Sequence, residues 1–147
     1  MAAGKFTVLN VALAKMVDGT IKVGVDDLKM CLCTATEALT SAFTGTSGEG
    51  LYTDLANEVT SAGYTAGGLE VDVTISQSSN VLTASADQSV WSGVTITAKY
   101  GVIYKETDGD IWGFFDLETT DPAGRVVTAS DLTISWPNDL LKLTRTA

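Results

Sequence analysis

Asp54 and Glu58 stand four residues apart, a spacing that puts two side chains on one face of a helical turn. Carboxylates paired in that way can serve as general acid and base. The plainer reading is structural: Asp54 caps the short helix, or Glu58 anchors the turn after it. Glu106, Asp108 and Asp110 cluster at a second place. They could offer oxygens to calcium, but an EF-hand series is longer and ends in glutamate; a solvated turn is the plainer reading. Tyr52, Tyr64, Trp91, Tyr104 and Trp112 could form a ring platform for a sugar, or pack a core or a subunit interface. Cys31 and Cys33 fall on one face of a strand. Strand rise sets their Cα atoms roughly 6.5–7 Å apart, at the edge of disulfide geometry. They are expected to be reduced, small and packed, in keeping with assembly in a reducing cytoplasm.

The remaining chemistry is bounded by what the chain lacks. It has no histidine, which removes Ser-His-Asp and Cys-His catalysis and His-ligated zinc. The glycine-punctuated stretch Gly63, Gly67, Gly68 has no lysine and opens no helix, so it is not a phosphate loop. The expectation is a protein that is not an enzyme, with no cofactor and no metal. The formal charge is −9, and no Lys or Arg lies between Cys31 and Ala98. Such a surface repels phosphate backbones, so no nucleic acid is expected. It would suit a basic partner, bound cations or plain solubility. Uncharged stretches fall short of the ~18 residues that a membrane helix needs. The apolar run after Lys5 is interrupted by Thr7 and Asn10 and has no cleavage site, so neither a membrane span nor a signal peptide is expected.

A β framework must position these groups. Phe6, Leu9, Leu13, Met16 and Val17 recur at helical spacing, which predicts a helix over residues 5–17 ended by Asp18-Gly19. Ile21, Val23 and Val25 alternate with Lys22 and Gly24, predicting a short strand or arm. A central strand is expected over residues 28–33. Thr34 and Glu37 suit a capping box for a short helix carrying Leu39 and Phe43, followed by a loose loop over residues 45–50. Residues 52–59 read as one or two helical turns. Strands are expected over 69–76 and 81–85, then a long one over 94–105 that bends near Gly101 after Trp91. A hairpin through Asp108-Gly109 leads to a doubly covered strand over 111–117. Short strands over 126–128 and 132–136 stop at Pro137. Leu140, Leu141 and Leu143 form an apolar tail that must dock. Together these predict one mainly β domain over residues 1–147. It is an antiparallel β-sandwich of about seven to eight strands with one N-terminal α-helix and a helical turn near residues 52–59. Residues 1–25 form a helix or arm, and residues 137–147 a tail.

Tyr52-Thr-Asp-Leu-Ala-Asn-Glu-Val59, Gly63-Tyr-Thr-Ala-Gly-Gly68, Trp91 and Thr95-Ile-Thr-Ala-Lys-Tyr-Gly-Val-Ile-Tyr104 occur in that order. In this ordered combination the chain resembles a family of small structural proteins of tailed bacteriophages. The likeness spans residues 6–136 and rests on Tyr52, Asp54, Leu55, Asn57, Glu58, Gly63, Tyr64, Gly67, Gly68, Trp91 and Tyr104, with Asp116 in a later strand. Lys99 stands where the family pattern suggests arginine, and residues 34–50 match no family pattern. The resemblance implies a virion component. The first expectation is a capsid decoration (cement) protein on the outside of the head, assembled in the host cytoplasm. Its partner would be the major capsid protein, and a homo-oligomer, with a trimer favoured, would suit three-fold lattice positions. The alternative is a tail or fibre protein that attaches to surface glycan. Phe6, Leu9, Leu13, Ile21, Val23, Leu140, Leu141 and Leu143 are the expected docking residues. Removal of residues 1–25 is expected to weaken capsid binding and leave the β core folded.

Overall fold

The computed structural model describes residues 3–136 and 139–145. Pro137 and its expected stop lie outside the described residues. The class is the one expected: mainly β, antiparallel, with one helix and one short 3-10 turn. The described residues hold ten strands in three hydrogen-bonded sheets.

The largest sheet has the order β1-β8-β7-β2-β3. Its members are β1 (Thr7–Val8), β2 (Leu28–Cys33), β3 (Leu69–Val71), β7 (Tyr100–Lys105) and β8 (Ile111–Asp116). β2, β7 and β8 are almost wholly buried, which explains their apolar character on both parities. A second sheet joins β10 (Leu141–Thr144), β5 (Val81–Ala86) and β4 (Val73–Ser78). The third is a ribbon of β6 (Ser89–Ala98) and β9 (Arg125–Ile134). One hydrophobic core runs through all three sheets, with Trp112, Phe115, Leu9, Ile21, Met30 and Leu32 among its fully buried side chains.

The helix α1 spans Asn10–Val17, shorter than the expected 5–17. Thr7 and Val8 pair instead with Phe114 and Gly113 of β8, since β-branched residues suit an edge strand better than a helix start. The far end is as expected, with Asp18 at the C-cap and Gly19 at φ +84°. The expected strand over 21–25 is a turn. The amides of Val25 and Asp26 both bond to the Lys22 carbonyl, and the Asp26 carboxylate accepts from the Lys22 amide at 2.6 Å. Residues 34–37 form a turn, not a capping-box helix, because the Glu37 side chain bonds elsewhere. The helical reading of residues 52–59 shrinks to a 3-10 turn at Tyr52–Asp54. Residues 57–59 run extended beside β2, where Val59 N donates to Leu32 O at 2.8 Å and Thr34 N to Asn57 O at 2.9 Å.

Two long strands break at hinges between sheets. The expected 69–76 run divides at Asp72 into β3 and β4, which pair with β2 and β5 respectively. The expected 94–105 run divides at Lys99, where β6 leaves for the ribbon and β7 enters the large sheet. Gly101 does not make the bend. It lies in β7, where a Cβ would stand 2.2 Å from the Phe115 ring; it is bare so that the ring can cross it. Conversely, the two short strands expected after residue 125 are one, β9, which carries Ala129 at φ +45° opposite register shifts in β6. Asp131 fastens that irregularity by accepting from Gly93 N at 2.9 Å.

Candidate functional site

The stretch from Tyr52 to Gly68 folds into a set of carboxylate braces. Glu58 lies beside β2, bridged to Cys33. One of its oxygens accepts from the Tyr52 hydroxyl at 2.5 Å. The other accepts from the Tyr64 hydroxyl and from Gly67 N, each at 2.7 Å. The Tyr64 oxygen in turn accepts from Leu32 N at 2.9 Å. The Tyr104 hydroxyl donates to Gly67 O at 2.8 Å, and its ring stacks on Tyr52 with centroids 4.5 Å apart. One acid therefore ties the 3-10 turn, the glycine turn and the central strand together. Burial, with Glu58 second, pushes the Tyr52 and Tyr64 phenols well above their ordinary range, and burial raises Tyr104 too. Gly67 and Gly68 both take positive φ. Gly68 is the tighter of the two: a Cβ there would sit 1.8 Å from Met30 O.

Asp54 holds a different set of partners. It accepts from Leu51 N at 2.8 Å, which caps the 3-10 turn, and from the Ser47 hydroxyl at 2.5 Å and amide at 2.9 Å. These bonds, the Ser47 hydroxyl foremost, lower its carboxyl to about 2. Asp54 and Glu58 share no partner, so the acid–base pair drawn from their spacing does not form. Each instead has the structural role that was the plainer reading. The residue 45–50 loop that composition left loose is thereby pinned.

A third brace escaped the sequence reading. Glu37 is 5% exposed and accepts from Ala56 N at 2.9 Å, Asn57 N at 2.7 Å and Asn57 Nδ2 at 3.3 Å. Its partners lie about twenty residues on, beyond any local spacing signal. Lys99 is the cationic counterpart. Its ammonium donates to Glu118 O and to Asp121 O at 3.2 Å, with Asp116 Oδ2 3.7 Å away. It holds the 118–121 loop at the point where β6 becomes β7.

The other candidates take equally internal places. Glu106, Asp108 and Asp110 diverge to Lys29, Lys105 and Lys15 respectively; no metal-binding group of three acids, cysteines or histidines converges among the described residues. Trp91, Tyr104 and Trp112 are buried at 3%, 4% and 0% exposure, so the aromatic residues do not form an exposed sugar platform. Cys31 and Cys33 are free and buried. A hydrogen bond with Cys33, together with burial, pushes the Cys31 thiol up. Leu55 packs on the core and Gly63 turns above Val94.

The expected docking residues divide into two groups. Phe6, Leu9, Ile21 and Leu140 are buried in the chain's own core, and Val23 and Leu141 pack against it. Leu13 and Leu143 remain half exposed. Residues 3–25 are therefore no free arm. Ala3 N bonds to Ser135 O, Gly4 N to Asp116 O and Leu9 N to Trp112 O. The tail likewise docks at home, as β10 against β5. Among the described residues no helix is long and apolar enough to cross a membrane. No protein family, curated protein or solved structure matches this chain.

Proposed function

We propose that the chain is a non-enzymatic structural protein of a tailed-phage virion, and within it a decoration protein that binds the outside of the head and stabilises the capsid lattice. The observation that supports this reading is the use made of the family-like stretch. Asp54 and Glu58 are both closed on donors of the chain itself, and Glu37 braces the stretch from outside it through Ala56 N and Asn57 N, so the stretch acts as a frame. A frame of this kind suits a protein whose work is to keep its shape under load. The partner is the major capsid protein, and binding works by repetition: weak contacts are multiplied by lattice symmetry. Half-exposed Leu13 and fully exposed Val17 on α1 supply apolar surface for that contact. The acidic surface faces either basic capsid residues or solvent.

Copy number tests the assignment. Stained gels of purified virions should give this chain in numbers comparable to capsid lattice positions, and antibody labelling should decorate the head in electron micrographs. A few copies per particle, or labelling confined to the tail tip or fibres, would move the protein to the attachment apparatus and end the decoration reading.

A further inference from the structure

Residues 3–6 and 139–142 come from opposite ends of the described chain and line one cavity of about 290 Å³. Both segments are pinned by backbone bonds. Ala3 N donates to Ser135 O at 2.8 Å and Gly4 N to Asp116 O at 3.0 Å, while Leu140 N donates to Ala84 O at 2.7 Å. The apolar part of the lining is Phe6, Leu140 and Trp136. Phe6 and Leu140 are buried. The Trp136 ring is half-buried and set edge-on to Phe6 and Phe115, with centroids 6.4 and 4.6 Å away, so packing fixes its orientation. Its indole Nε1 is buried and has no acceptor. The space is at the small end of ligand sites, enough for one ring or a short alkyl chain with its polar head.

Three charged residues line the same cavity: Lys5, Lys142 and Asp139. Lys15, Lys29, Lys99 and Lys105 each stand beside a carboxylate in an ion pair. Lys5 and Lys142 belong to none of the ion pairs among the described residues. The chain as a whole has a net charge of −9, so two unpaired cations on one cavity reverse the sign of the protein's general field. Such a place draws anions that the rest of the surface repels.

We infer that this cavity binds an apolar monoanion, an aromatic ring or short alkyl chain that carries one carboxylate. Phe6, Leu140 and Trp136 take the apolar body, and burial of that body supplies the drive. Lys5 and Lys142 take the carboxylate through charge-assisted bonds. Asp139 sets the charge count: two ammonium groups and one carboxylate leave a single positive charge, which suits one negative charge and disfavours a doubly charged phosphate. The carboxylate can come from a free acid or from the end of a peptide chain that finishes in an apolar residue, since both present the same group. The inference rests on the cavity alone and stands or falls separately from the virion reading.

Titration of the isotope-labelled full chain with phenylacetate, followed by amide NMR, tests it. The Trp136 indole N–H signal and the amides of residues 4–6 and 140–142 are expected to shift to saturation. The amides of Gly67 and Gly68, outside the cavity, are expected to stay. Phenylacetamide has the same shape without the charge and is expected to bind about tenfold more weakly. Lys5→Gln and Lys142→Gln, both at exposed positions, are each expected to weaken phenylacetate by about tenfold with an unchanged circular dichroism spectrum. Lys22→Gln, a cation outside the cavity, is expected to leave binding as it was. The shift map needs no variant, so it decides the matter if a Gln variant fails to fold. Acetyl-alanyl-phenylalanine with a free terminal carboxylate separates the sources: binding tighter than phenylacetate assigns the site to a peptide end, and weaker binding assigns it to a free acid. Shifts that do not saturate or that map elsewhere, equal binding of phenylacetamide, tighter binding of phenyl phosphate, or full affinity in both Gln variants would each overturn the assignment.

Discussion

Glu58 shows how one side chain can organise a motif. Three donors from two turns converge on its two oxygens, and removing it strands all three. Glu58→Ala is expected to destabilise the fold by about 2–4 kcal/mol, read as a lower denaturation midpoint with unchanged slope. The tyrosines set an alkaline limit. Burial raises all four phenols above the ordinary value near 10. A folded value above the unfolded one means that the stabilisation is complete below about pH 10 and is lost as pH rises beyond it. Tyrosinate absorbance should therefore grow together with unfolding; a separate titration in the folded protein near pH 10 would contradict the packing. Asp54 has the opposite sign. Its folded value of about 2 lies below the ordinary 3.8. Its brace holds above that ordinary value and is lost as pH falls through about 2, to be read as faster amide exchange at Ser47 and Leu51.

Turns and strand breaks carry the stress of the design at the next scale. Gly68 allows the glycine turn to press on the Met30 carbonyl. Gly68→Ala would combine a clash with a positive φ, and a loss of about 3 kcal/mol or more is expected, measured by thermal unfolding. The loop over residues 45–50 depends on Asp54. Asp54→Ala should make that loop the first site of limited proteolysis, while cleavage elsewhere stays slow. The element-scale errors of the sequence reading share a cause. Residues 69–76 and 94–105 each have an unbroken alternating pattern, and alternation records which face is buried, not which sheet receives the strand. The breaks at Asp72 and Lys99 are made by partners distant in sequence.

At the scale of the whole molecule, residues 3–25 and 140–145 are structural. Deleting residues 1–25 would remove β1 and the buried Leu9, Ala12 and Ile21. Contrary to the arm expected from sequence, the truncated chain should lose cooperative unfolding, since one buried leucine alone is worth about 2–5 kcal/mol; circular dichroism melting decides it. On the proposed decoration reading, capsid contact comes from exposed surface, such as Leu13 and Val17. A chain that decorates a capsid should protect it: virions stripped of this protein are expected to release DNA at lower temperature, and refilling the lattice with the purified chain should restore the loss point.

Local pattern was enough to read the β class, the end of α1 at Asp18-Gly19, the β7–β8 hairpin, the buried strands and the unpaired cysteines. Each is set by neighbours within a few residues or by total apolar content. It also offered the right roles for Asp54 and Glu58 among its alternatives. Tertiary structure alone decided that Glu37 is a buried brace, that Lys99 closes a loop, and that residues 7–8 and 141–144 join the sheets. Those outcomes depend on donors and surfaces brought together from tens of residues away. The free energy of a buried carboxylate or a docked strand resides in that juxtaposition, not in any spacing along the chain.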